Sequence, residues 1–401
     1  MAEGDIKKLK KILYLTFRLP YPPEKGGYNL RTFNLGKIMA KNYKVDLLTL
    51  IEDKEEKKYL DDLKKIFNKV IFFYHPKIFA YFRALKTFFS SKPLQVGYYY
   101  SPKMASWINN NYQNYDFIFC SEIRTAEYIK DLKITKSIDF VDAISLNYQQ
   151  ALRNANFFWK LIYLIENQRL LNYERKMVEN FNLSFITTQK DKDFILRGEN
   201  KKMVVLPNGV KEELFKREFK GKEEDWLVFF GKMDYLPNED ACIFFAQKIF
   251  PKIKDKFPNL KFIIVGTSPS KKILNLRKIS GVEVTGFVKD PYFYLKKSKI
   301  VVAPLRFAGG IQNKILEAMA LGKLVFTTPV GAGGIPETKD GEHLIIVDYK
   351  NPEEMTKKIV RLLNNEELRQ EIGMRARELI LENYTWDKVE KKLVENISLI
   401  I

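Results

Sequence analysis

The chain has 401 residues, 46% of them hydrophobic and 29% charged, enough for sizeable cores and more than one domain usually holds. Its net charge of +19 is spread over both halves and favours anionic partners, while no zinc finger, RNP aromatic motif or basic recognition helix points to nucleic acid. Two histidines exclude a His-rich metal site, Cys120 and Cys242 read as buried reduced thiols, and no apolar run approaches the roughly 20 residues of a membrane helix.

The lysines near the N-terminus are not followed by an apolar stretch, so no signal peptide is expected and a cytoplasmic location is. Residues 11–16 predict a short buried strand, ending in a loop that runs through Pro22 and Pro23 to Gly26 and Gly27. A helix is expected over 28–41, then strands at 45–51, 70–74, 117–120 and 138–141 with helical patterns between them. Residues 157–180 form a long helical pattern, and strands follow at 185–188 and 203–206. Asn208 and Gly209 mark a turn. The polar stretch 211–225 reads as a linker between domains covering 1–210 and 226–385. Alternation then restarts, with strands at 226–230, 261–265, 282–285, 300–303 and 324–327. The last helix, within 386–401, is expected to join the first domain. This pattern predicts two α/β domains, each a doubly wound parallel sheet of Rossmann type, facing across a cleft.

One stretch concentrates the candidate chemistry. After the strand 300–303 come Gly309, Gly310 and Ile311, then a helix opening near Gln312 and carrying Lys314 and Glu317. Glycines admit close backbone approach, and a helix N-terminus with a lysine suits a phosphate. Lys314 and Glu317, three residues apart, share one helix face, which would seat a diphosphate at the tip and a ribose at the carboxylate. An ordinary strand–helix turn with a solvated ion pair is the plain alternative.

Spread along the chain, several runs resemble the family 4 (group 1) glycosyltransferases of GT-B fold. They are Arg18 to Gly26, residues 139–142, 170–175, 231–240 and 284–290, and the glycine loop with its helix. The resemblance is nearest to the sugar transferases associated with exopolysaccharide (PEP-CTERM/EpsH-type) systems. It implies a retaining transfer of a hexosyl group from a UDP- or GDP-sugar to a glycan or polyprenyl-linked acceptor, with no metal or other cofactor. It places Glu317 on the ribose, and Lys314 with Gly309, Gly310, Ile311 and Gln312 at the diphosphate and donor sugar. Lys232, beside Gly231, becomes a second phosphate cation. Gly26 and Gly27 would approach the donor phosphate, and Val288 would flank the base. The family's first glutamate falls on Gly309, and its first-domain histidine is absent, leaving Asp142 as the nearest candidate.

Other readings compete at single positions. Asp142 would orient sugar hydroxyls or cap the helix after it. Arg306 would reach phosphate or form a structural salt bridge. Asp234 and Asn238 would touch sugar or only shape their loop. Glu174 and Arg175 read as a structural pair, Asp191 to Asp193 as a helix start and not a metal motif, and His343 as a surface turn residue. Residues 79–89 form a basic, aromatic-faced helix that would face the core or lie on the inner face of an anionic plasma membrane. Two rivals to transfer remain, a UDP-sugar epimerase of the same shape and a non-catalytic nucleotide-sugar-binding subunit.

Overall fold

The computed structural model describes residues 9–152, 157–196, 198, 202–216 and 221–401. Its chain divides into two compact units, one formed by 1–207 with 389–401 and the other by 208–388. The first holds a seven-stranded sheet of β1 (Lys11–Thr16), β2 (Lys44–Ile51), β3 (Lys69–Tyr74), β4 (Phe117–Ser121), β5 (Lys136–Asp139), β6 (Leu183–Ile186) and β7 (Met203–Val205). Their order is β3-β2-β1-β4-β5-β6-β7, and every pairing is parallel. The second unit has a six-stranded parallel sheet of β8 (Trp226–Phe230), β9 (Lys261–Val265), β10 (Val282–Gly286), β11 (Ile300–Ala303), β12 (Val325–Thr327) and β13 (Ile345–Ile346). Its order is β10-β9-β8-β11-β12-β13.

The sequence pattern located twelve of these strands. It missed β13, an edge strand of two residues that carries too little periodicity to be seen. Parallel strands are covered on both faces and so read as continuous apolar runs. Phe117, Ile118, Phe119 and Cys120 of β4 are all fully buried. Cys120 and Cys242 are indeed buried free thiols.

Two stretches differ from expectation. Within 211–225, the helix Glu212–Lys216 buries Leu214 and Phe215 in the core of the second unit. The contact boundary therefore falls at Pro207, ahead of the expected linker, and residues 217–220 lie outside the described residues. Glu174 and Arg175 do not pair with each other. The Glu174 carboxylate accepts from the Ser145 N–H (3.2 Å) and hydroxyl, while Arg175 Nε donates to the Ile195 carbonyl (2.7 Å).

The first unit is tied internally by Arg31, fully buried on the helix Gly27–Asn42. Its guanidinium grips both carboxylate oxygens of Asp139 at the end of β5 (2.7 Å each) and donates to the Leu206 carbonyl (2.9 Å). Removing one partner of such a pair strands the other charge in the core. Asp139→Asn is therefore expected to lower the unfolding free energy by roughly 3–5 kcal/mol. A urea titration followed by far-UV circular dichroism would read it, and an unchanged midpoint would show that Arg31 is held without Asp139.

Candidate functional site

In a doubly wound sheet, ligands bind where neighbouring strands send their connections to opposite sides. The strand orders place this point between β8 and β11 in the second unit, and between β1 and β4 in the first.

At the β8 end, Gly231 sits at φ 154°. A Cβ there would lie 2.7 Å from Asn238 Nδ2 and 3.3 Å from Lys314 Cε, so a glycine lets these side chains converge. The β9 end is just as close, for a Cβ on Gly266 would fall 1.6 Å from the Gly231 carbonyl. Asn238 Nδ2 donates to the Lys232 carbonyl (2.8 Å). Its buried Oδ1 has no partner among the described residues. Lys232 itself pairs with Asp234 (3.2 Å), both half exposed, a surface contact worth little against a competing ligand.

At the β11 end, Gly310 adopts φ 60°, the left-handed region a glycine tolerates best. Gln312 N-caps the helix Asn313–Ala320 without a side-chain capping bond. Its amide instead folds the loop, Nε2 donating to the Gly309 carbonyl (2.8 Å) and Oε1 accepting from Lys314 Nζ (2.9 Å). The N–H groups of Asn313 and Lys314 belong to the first turn, where the helix itself supplies no acceptor. A second loop supports this one from behind. A Cβ on Gly334 would come within 2.9 Å of the Gly310 carbonyl and Ile311 Cα, and Thr328 donates to the Leu305 carbonyl. Nothing in the sequence reading pointed to Gly334, because its role exists only through that contact.

Lys314 and Glu317 lie on the same face of this helix. Burial pulls the Lys314 ammonium down to about 8, with Cys242 and Glu317 acting the other way. Burial pushes the Glu317 carboxyl up to about 7, opposed by Lys211, by a hydrogen bond with Tyr292, and by Lys314. The Lys314 ammonium also lies 5.9 Å from the Phe229 ring. Thus Gly231, Asn238, Gln312, Lys314 and Glu317 are brought together as a cluster. Val288 is half buried beyond the β10 end and packs on the core. Of the two readings for Arg306, the structural salt bridge is the one observed. It forms a bidentate pair with Asp240 (2.7 Å for Nε) and stacks on Phe244 (5.2 Å), which occupies its donor fork.

In the first unit, Gly26 and Gly27 open the helix Gly27–Asn42, and a Cβ on Gly26 would meet nothing within 4 Å. Asp142 does not cap the helix Ile144–Ala151, whose early N–H is taken by Glu174. Its carboxylate accepts from the Thr187 hydroxyl (3.2 Å), and burial, then Asp191 and Glu122, hold its pKa well above the carboxylate range. Asp191 is engaged at its helix start by Thr188 and the Ala143 N–H (3.4 Å), in line with a capping role. His343 accepts from the Lys339 N–H (3.3 Å) in a turn.

The sequence reading missed Glu122. It is buried directly after β4 at φ 63°, a region a non-glycine residue rarely adopts. Arg124 pairs with it, and that guanidinium also lies over Phe17 (4.6 Å). Val141, after the adjacent β5, shares φ 63°. The two strained corners follow neighbouring strands, and that of Glu122 lies at the switch point, but single-residue φ values leave no trace in sequence.

The fold these two sheets define is GT-B. Along 97% of its length the chain superposes on 99% of the Anabaena protein HepE, solved in complex with UDP-glucose, with a TM-score of 0.68 at 14% identity. Residues 224–365, which contain the whole cluster, match the family model described as "Glycosyl transferases group 1". An uncharacterized glycosyltransferase of Methanocaldococcus jannaschii is 30% identical over 54% of this chain and 55% of its own length. The capsular polysaccharide biosynthesis glycosyltransferase CapM of Staphylococcus aureus is 27% identical over 35% of this chain and 39% of its own. The chain thus spans about half the length, or less, of these curated relatives.

The shifts of Lys314 and Glu317 both mark charges that burial disfavours. Glu317 binds a proton more tightly folded than unfolded, so its ionisation erodes stability as pH rises from about 4.5 to about 7. Glu317→Gln should therefore raise the melting temperature at pH 8 by roughly 2–4 °C. It should give no gain at pH 4.5. Differential scanning calorimetry at both pH values checks this, and a lower melting temperature at pH 8 would mean that Tyr292 and Lys211 outweigh burial.

Proposed function

We propose that the protein is a retaining glycosyltransferase. It moves a hexosyl group from a UDP- or GDP-sugar to a glycan or polyprenyl-linked acceptor in cell-surface polysaccharide synthesis. The observation that carries this reading is the cluster of Gly231, Asn238, Gln312, Lys314 and Glu317 at the switch point of the second unit. It lies inside the segment matched to group 1 glycosyltransferases. The UDP-glucose bound by HepE and the capsular role in the CapM name support donor class and context respectively.

In this reading the bond from the sugar's anomeric carbon to the diphosphate oxygen breaks, and a bond to the acceptor hydroxyl oxygen forms on the same face. The acceptor proton passes to the departing phosphate. Negative charge gathers on that phosphate in the transition state. Groups fixed in place beforehand stabilise it more than they stabilise the ground state. Lys314, the first-turn amides and Gly309–Gly310 supply such groups, and Lys232 joins them by exchanging Asp234 for phosphate. Glu317 accepts from the ribose hydroxyls. No metal is called on, because the two lysines and the helix dipole carry the charge.

A donor's diphosphate needs Lys314 protonated, and its ribose needs Glu317 ionised. UDP affinity, measured by isothermal titration calorimetry, is therefore expected to peak between about pH 7 and 8 in the free protein's terms. It should fall up to about tenfold per pH unit beyond each limb. Glu317→Gln should remove the acid limb. A flat profile, or a profile unchanged in the variant, would sink the ribose assignment.

Glu317→Ala should raise donor KM by roughly tenfold or more, and Lys314→Ala should lower kcat by roughly 100- to 1,000-fold. Incubation with radiolabelled nucleotide sugars and a membrane extract reads transfer directly. An epimerised free nucleotide sugar, or binding with no product, would replace this reading by an epimerase or a binding subunit.

A further inference from the structure

The helix Lys77–Phe88 is packed inside out. Ala80 is its one fully buried residue, with Arg83, Ala84 and Thr87 also turned toward the protein. Thr87 fits so tightly that a Cβ on Gly97 would lie 1.9 Å from its Oγ1. Arg83 donates toward His75 Nδ1 (3.4 Å), and its buried Nε has no partner among the described residues. The opposite face carries Ile78, Phe79, Tyr81, Phe82 and Leu85, each about 60% exposed, and runs on to Phe89 at 84%. A soluble surface helix buries its apolar stripe. This one turns its small and mixed side, Ala80, Arg83, Ala84 and Thr87, inward and leaves its aromatic face outside, so the core-facing alternative raised by the sequence is excluded.

A second element extends the patch. Arg169 of the helix Phe157–Asn180 donates to the Phe88 carbonyl (2.9 Å), and Glu166 accepts from the Leu94 N–H (2.7 Å). One turn toward the N-terminus of that helix lie Leu161, Leu164 and Ile165, all 45% exposed or more, with Trp159 beyond at 48%. Both elements belong to the first unit, and each presents several large apolar side chains to solvent next to this junction.

Charge decides what covers it. No acidic residue occurs between Asp62 and Asp116, a span that includes Lys77, Arg83, Lys86, Lys92 and Lys103. Among the described residues, Lys77, Arg83, Lys86 and Lys160 make no ion pair. A cavity of about 530 Å³ opens beside the helix, bordered by Arg83, Lys86 and Lys92. Its acidic lining residues, Glu127 and Asp131, are already matched by Lys92 and Lys130. Aromatic and aliphatic side chains ringed by unpaired lysines match the interfacial zone of a bilayer, with acyl chains below and phosphates at the rim. Glu52 and Asp53 share a hollow with Lys77 and Ile78 at the start of the helix, so the cations left for lipid phosphate lie mainly toward its other end, at Lys86.

We infer that this face of the first unit docks on an anionic phospholipid bilayer, the helix Lys77–Phe88 lying in the interface with its lysines among the lipid phosphates. The inference goes beyond the transfer reaction and does not depend on it, since it uses no residue of the donor cluster.

Flotation of the full chain with vesicles of phosphatidylglycerol in phosphatidylcholine tests it. The wild type is expected to float with these vesicles and to stay behind with phosphatidylcholine alone. It should also be released at about 0.5 M salt, where screening cuts the Debye length to roughly 4 Å. Phe79→Glu with Phe82→Glu, and separately Lys77→Glu with Lys86→Glu, should each lower the bound fraction about tenfold or more. UDP binding and melting temperature, read on the same samples, should stay unchanged and so exclude misfolding. Brominated lipid should quench Trp159, with Trp159→Phe as the control. No flotation of the wild type overturns the inference, as does flotation that survives both double variants. So does a wild-type dimer in light scattering that Phe82→Glu dissolves, because a second copy would then occupy the face.

Discussion

Each sheet reverses its order between two adjacent parallel strands, and that reversal constrains everything else. Crossover helices cover the two faces of the sheet but leave a gap beyond the carboxyl ends of the central pair. Polar and charged groups collect there because nowhere else in a doubly covered sheet can they reach a ligand. In the second unit the gap at β8 and β11 gathers Gly231, Asn238, Gln312, Lys314 and Glu317. In the first, the gap at β1 and β4 holds Gly26, Gly27 and the strained Glu122.

The energetic character of the donor cluster follows from its place. Lys314 and Glu317 are drawn out of water, and each is pushed toward its neutral form. Their mutual attraction does not offset the desolvation, which is the usual outcome for partly buried pairs. A diphosphate and a ribose would offer both groups what water no longer does. Arg306 illustrates the opposite arrangement, because Asp240 already satisfies its guanidinium. One edge of its guanidinium is therefore committed to a protein carboxylate.

The fold was largely legible in the residue order. Continuous apolar runs spaced by helical patterns located twelve strands, since burial on both faces leaves that signature. The cluster was legible in part. Glycines at strand ends followed by a lysine and a glutamate at helical spacing named Gly231, Gly310, Lys314 and Glu317. The failures have physical causes. A polar surface on one side of Glu212–Lys216 hid the burial of Leu214 and Phe215, so the stretch read as linker. Glu122 and Gly334 act through a backbone angle and a close approach, and neither has a sequence signal.

The sequence by itself determined the alternation of strands and helices, the basic charge, and the glycine loop opening onto Lys314 and Glu317. Those properties are local, written in periodicity and in residue type. Only the tertiary structure decided which neighbours each charge meets. Packing brought Asn238 to Lys314, assigned Arg306 to Asp240 and Glu174 to Ser145, and shifted the protonation of Lys314 and Glu317 through burial. It also turned the apolar face of Lys77–Phe88 outward. An amphipathic period fixes that a helix has two faces, but only the surface it packs against decides which one is buried.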